Sequence, residues 1–211
     1  MSPRLHRWVA IFDVVGVSLL VATYIWIWQF TAPQIALIFP VWLGTSFLIH
    51  RDTPKTLGWR ADNLWTATRQ AALFLGIAVV VSLAIGLVLG MPKPPPQFFG
   101  VRRLWRYFAF CLLQQVALQS FLNNRLMALV SRRPLSSLLT GLIFGGLHWP
   151  NPVLVPVAFL GGSLMAWLFA RHRNVIPFAV GQTILGSVVS WAFPSTWHHS
   201  MRVGPGYYLP F

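Results

Sequence analysis

The chain has 211 residues, 56% of them apolar and 9% charged, and carries a net charge of +13. Several apolar runs reach bilayer-spanning length, which excludes an ordinary soluble domain and points to a polytopic membrane protein. Its basic residues stand between those runs and not in one patch, so the charge is read as orientation and contact with membrane lipids, with no nucleic-acid partner.

The basic start MSPRLHRW leads into an apolar run from Val9 to Trp28, read as an uncleaved first span. Asp13 lies inside it. An intramembrane acid is a functional candidate by default, but the plainer expectation pairs Asp13 with Arg4, Arg7 or lipid amines near the headgroups. A second span follows from Ile35 to Ile49, kinked at Pro40. His50 to Gln70 forms a basic loop, with Trp59 and Trp65 at headgroup level. The third span, Ala71 to Gly90, is uniformly apolar, and the proline-rich MPKPPPQFFG after it cannot continue a helix.

Leu104 to Val130 is the fourth span, and Arg132-Arg133-Pro134 ends it. The fifth runs from Leu135 to His148, with Gly141 and Gly145 spaced for close approach of a neighbouring helix. The sixth runs from Val153 to Ala170 and the seventh from Val175 to Phe193, with Pro177 in its first turn. An aromatic, glycine- and proline-rich tail is expected to rest at the interface. The fold class is thus all-α, a membrane bundle of about seven transmembrane helices. Three parts divide it: residues 1–100 with helices 1–3, 101–193 with helices 4–7, and the tail 194–211. Ten loop cations against five on the other side put the N-terminus in the cytoplasm of a multi-pass cell-membrane protein.

The chain has no glutamate, and Asp13, Asp52 and Asp62 are its acidic residues. Chemistry needing two carboxylates at one site therefore has little to draw on. The six histidines are scattered and no acid in the later spans completes a zinc set, so no metal and no cofactor is expected. Cys111 is alone and forms no intrachain disulfide. The polar residues of the fourth span, FCLLQQVALQSFLNNR, carry the function instead. Gln115, Gln119 and Asn123 fall four apart and would stack on one face, turned inward because unpaired amides in hydrocarbon are costly.

These features resemble the CAAX protease and bacteriocin-processing family of intramembrane endopeptidases. QQVALQSFL, Gln114 to Leu122, stands where that family has EExxxRGFL, and Phe144 to His148 matches its FxxxH. Gln182 and Gly186 fall where its third motif has His and Asn or a similar residue. The resemblance implies a core in helices 4–7 and action on a membrane-anchored protein, prenylated or leader-bearing. It also implies catalytic roles for the positions of Gln114, His148 and Gln182, with Gln115, Gln119, Asn123, Phe144 and Gly186 lining or shaping the cavity. Gln114 cannot act as the carboxylate base, a loss of about 10²–10⁴ in rate. Gln115 and Gln119 replace a charged pair by a neutral one able to hydrogen-bond. The expected protein is a weakened or inactive protease-like one. The alternatives are a divergent enzyme relying on His148, a partner-binding scaffold, or a small transporter-like bundle, although no charged relay is expected across the spans.

Overall fold

The computed structural model describes residues 3–90 and 100–210. All the regular structure among them is helical, as the composition predicts. Helix α1 (Pro3–Thr23) runs on through a wider π-helical turn, Tyr24–Trp28. A 3₁₀ turn at Pro33–Leu37 leads into α2 (Ile38–Ile49), and α3 (Pro54–Leu57) is a single turn in the basic loop. Thr53 caps α3 reciprocally with Thr56, satisfying donors that a four-residue helix cannot satisfy itself. Helix α4 (Leu64–Val88) covers the third apolar run. The proline-rich loop expected at residues 91–99 lies outside the described residues.

The fourth apolar run forms three continuous pieces: α5 (Val101–Gln115), a π-helical stretch Val116–Asn123, and α6 (Asn124–Leu129). Next come α7 (Arg133–Gly146), α8 (Leu154–His172), α9 (Ile176–Ala192) and the short α10 (Ser195–His198). Pro134 and Pro177 occupy first-turn positions, where the missing N–H has no partner to lose.

The helices fall where the seven apolar runs predict them. By length and composition, three of the described helices can cross a membrane, or four if α9 and the 118° bend after it count as one span. Helix α4 carries exposed Leu73, Ile77, Val80, Val81, Leu87 and Val88, the surface expected of a helix facing lipid.

The buried core surrounds the π-helical stretch, where Leu118, Phe121 and Leu122 pack with Val14, Val17, Leu43, Phe144 and Ala158. On the π-helical stretch and the start of α6, Leu118 to Leu126 are all buried, so this segment is enclosed on every side. Helices α7 and α8 approach closely. A Cβ on Gly141 would stand 2.6 Å from the Phe159 carbonyl oxygen and one on Gly145 2.9 Å from Phe159 Cβ, so both glycines serve the close approach their spacing predicts.

The tail packs back on protein. Asn151 Nδ2 donates to the carbonyls of His198 (2.8 Å) and Arg202 (2.9 Å), and its Oδ1 accepts from the Val153 and Leu154 amides. The Gly204 amide donates to the Trp149 carbonyl at 2.9 Å, with Gly204 at φ +56° against Ile25. Gln29 Nε2 lies 3.5 Å from the Val203 carbonyl.

Candidate functional site

The π-helical stretch follows directly on Gln115 and carries Gln119 and Asn123. In an α-helix four residues make about one turn, but in a π-helix the repeat is about i to i+5. The wider turn lets the enclosed segment bury Gln119, Ser120, Asn123 and Asn124 together. Such turns concentrate at functional sites.

Three of the expected positions come together. Gln182 of α9 donates through Nε2 to Gln114 Oε1, and its Oε1 accepts from Gln115 Nε2 at 2.7 Å. Gln115 Nε2 also lies 3.2 Å from Met165 Sδ of α8. One amide of the third-motif position thus bridges both residues of the first-motif pair, joining α5 to α9. Gly186, one turn beyond Gln182, leaves room for Tyr107. A Cβ there would fall 2.0 Å from the Tyr107 hydroxyl, so α5 and α9 can pack this closely only around glycine.

The expected pairing of Gln115 with Gln119 is not found. Gln119 Oε1 accepts from Asn123 Nδ2 at 3.2 Å, and the same Nδ2 reaches the Ala166 carbonyl of α8 at 3.0 Å. Thr140 of α7 lies 3.4 Å from Asn123 Oδ1. Among the described residues Gln115 Oε1 and Gln119 Nε2 have no hydrogen-bond partner. The amides therefore form two clusters: Gln114–Gln115–Gln182, and Gln119–Asn123–Thr140.

His148 stands past the end of α7 and is half-buried. Its Nδ1 is 2.7 Å from the Phe144 carbonyl oxygen, and the two rings lie edge to face at 4.7 Å. With Nδ1–H donating to that carbonyl, Nε2 is left as the lone-pair nitrogen. No hydrogen bond joins His148 to a glutamine among the described residues. An apolar pocket of about 410 Å³ lies between α4, α8 and α9, lined by Leu75, Val81, Leu164, Met165, Phe178 and Gly181 among others. None of the expected polar site residues lines this apolar pocket, and Met165 touches both the pocket and Gln115.

A charged cluster lies outside the expected site. Asp13 of α1 is buried within the protein. Its Oδ1 accepts from Trp42 Nε1 at 3.0 Å and its Oδ2 from Ser46 Oγ at 2.6 Å. Arg125 Nε is 3.4 Å from the same Oδ2, and Arg125 Nη2 is 2.7 Å from Asp52 Oδ2. The Arg125 guanidinium also reaches Ser46 Oγ and sits 5.6 Å from the Phe121 ring centre. His50 Nε2 lies 3.2 Å from Asp13 Oδ2, and His50 Nδ1 lies 2.9 Å from His6 Nε2. The expected pairing of Asp13 with Arg4, Arg7 or lipid gives way because a buried carboxylate needs a buried counter-charge. Arg125 supplies it. The signal was an arginine four residues short of the end of a membrane helix, on the same segment as the glutamines.

The geometry defines a membrane-type helical bundle with an amide-bridged centre between α5 and α9. Residues 96–188 match the family model described as type II CAAX prenyl endopeptidase Rce1-like. That match covers a little under half of the chain and includes Gln114, His148, Gln182 and Gly186, so this part of the protein is similar to the CAAX-protease-like family its motifs resemble. No curated protein and no solved structure matches the chain.

Proposed function

We propose that this protein is a CAAX-protease-like membrane protein whose proteolytic centre has become a neutral binding centre, engaging a membrane-anchored protein without cleaving it. The observation that carries this reading is the double hydrogen bond of Gln182 to Gln114 and Gln115. In a hydrolase of this kind a carboxylate takes the proton of the attacking water while a donor steadies the oxyanion. Here the positions that would do so are amides that satisfy one another, and an amide takes up no proton in the physiological range. The basic loops and the apolar surface of α4 favour a multi-pass place in the cell membrane with the N-terminus in the cytoplasm.

One observation favours a second reading, a divergent hydrolase. The Phe144 carbonyl holds His148 so that Nε2 is its basic nitrogen, as a general base requires. The two readings separate in reconstituted vesicles presented with lipid-anchored and unanchored membrane peptides. Wild type is expected to bind the anchored peptide and to give no product. Gln114→Glu alone should restore little, and Gln114→Glu with Gln182→His a trace, because base and oxyanion donor act as a unit. Cleavage by wild type that disappears in His148→Ala would overturn the binding reading.

A further inference from the structure

The apolar pocket of about 410 Å³ between α4, α8 and α9 is a groove along the side of the bundle. On α4 its lining runs from Ala71 to Ile85, about 21 Å at 1.5 Å per residue. Ile77, Val81, Ile85 and Leu160 line it yet remain exposed, so one long side opens outward, to the hydrocarbon of the membrane. Inside a bilayer such a space does not stay empty, because its walls would lack contact partners. Water does not suit it either, since a buried water needs about two to four polar partners. Ser82, the hydroxyl among the described lining residues, already donates to the Ala78 carbonyl at 2.7 Å.

The two ends of the groove differ. Where α4 begins and α8 ends, His172 Nε2 meets Gln70 Oε1 at 2.6 Å and joins the two helices. Arg171 follows Leu168, a lining residue, by three positions and so continues the same face of α8. Its guanidinium lies 3.7 Å from the Trp167 ring centre, and that ring meets Phe74 of the lining edge to face at 6.4 Å. The stack holds an exposed cation at this end of the groove. The three acids of the chain are engaged with other arginines, Asp13 and Asp52 with Arg125 and Asp62 with Arg60. The opposite end, at Ile85, Val157 and Phe193, is apolar.

We propose that this groove binds an anionic phospholipid of the bilayer, with one acyl chain lying along α4 and the phosphate at Arg171. The chain fills the groove by dispersion contact, which the hydrocarbon outside also offers, so the basic end decides which lipid stays. A guanidinium stacked on an indole keeps its edge N–H groups available to phosphate oxygens. The chain runs past Met165, which lines the groove and whose Sδ lies 3.2 Å from Gln115 Nε2. The lipid thus stands one side chain away from the amide bridge. Its binding is independent of whether that bridge engages a protein or cleaves one.

The test is lipid retention by the full chain, released from nanodiscs holding equal shares of phosphatidylglycerol and phosphatidylcholine and read by native mass spectrometry. Wild type should keep one phosphatidylglycerol, preferred about fivefold over phosphatidylcholine, the effect of one arginine near a lipid surface. Arg171→Gln should erase the preference and Arg171→Lys should keep most of it. Gly161 lines the groove with nothing within 4 Å of a Cβ, so Gly161→Phe fills the space without displacing protein. Retention of either lipid should then fall several-fold, and less in Gly161→Leu, the smaller filler. Gly76→Phe, on α4 but outside the lining and equally open, should match wild type. Retention unchanged in both Gly161 variants would overturn the groove as the site. Equal retention of the two lipids by wild type would overturn the headgroup's place at Arg171. A farnesylated peptide that displaces phosphatidylglycerol at equal concentration would overturn the phospholipid as occupant and give the groove to a protein's lipid anchor.

Discussion

Arg125 sits where one substitution reaches three helices. It pairs with Asp13 of α1 and Asp52 after α2, bonds Ser46 and lies against Phe121. Arg125→Met keeps much of the side-chain volume but removes the guanidinium that pairs with both carboxylates. Removing one partner of a buried pair costs about 3–5 kcal/mol. The thermal midpoint of the protein in detergent should therefore drop well below wild type, and Asp13→Asn in the Arg125→Met background should recover part of the loss. A midpoint equal to wild type would mean that the cluster carries no stability. The residue pattern marks Asp13 and Arg125 as charges inside apolar runs but not their pairing, because Arg125 and Asp52 are 73 positions apart and meet only through the fold. Gln114, His148 and Gln182 could likewise be found as candidates because polar side chains inside apolar runs are conspicuous. Which of them touch could not be read, since that depends on how α5, α7 and α9 pack against one another.

At the level of the helices, the apolar runs, the prolines at first turns and the paired glycines specify where elements begin, end and approach. Hydrophobic patterning does not distinguish an α turn from a π turn, so the enclosed middle of the fourth helix was beyond it. The α7–α8 contact offers a direct check. Gly141 faces the Phe159 carbonyl and Ser163, and Gly141→Leu would drive a side chain into backbone that cannot yield. Overpacking of this kind costs about 1–3 kcal/mol. Leucine at Gly146, where nothing lies within 4 Å of a Cβ, should be nearly neutral. Matching unfolding midpoints for the two variants would count against the close packing of α7 on α8.

For the molecule as a whole, the charged cluster and the tail meet different parts of the first helix. His6 and Asp13 lie in the first half of α1, and Ile25 and Gln29, which meet the tail, in and just after the π-helical turn that continues it. The orientation proposed above places the basic loop around Arg60 in the cytoplasm and the tail around Gly204 across the membrane. Reporter fusions at those two residues should give opposite compartments; the same compartment for both would remove a span from the bundle.

The return of the tail also bears on biogenesis. Gln29 and Val203 are 174 positions apart, and the Asn151 bonds that hold the tail are completed only by His198 and Arg202. A ribosome must pass Val203 before the far end of the first helix gains these partners. Until then that end lacks its tail contacts and is available to insertion factors and quality control.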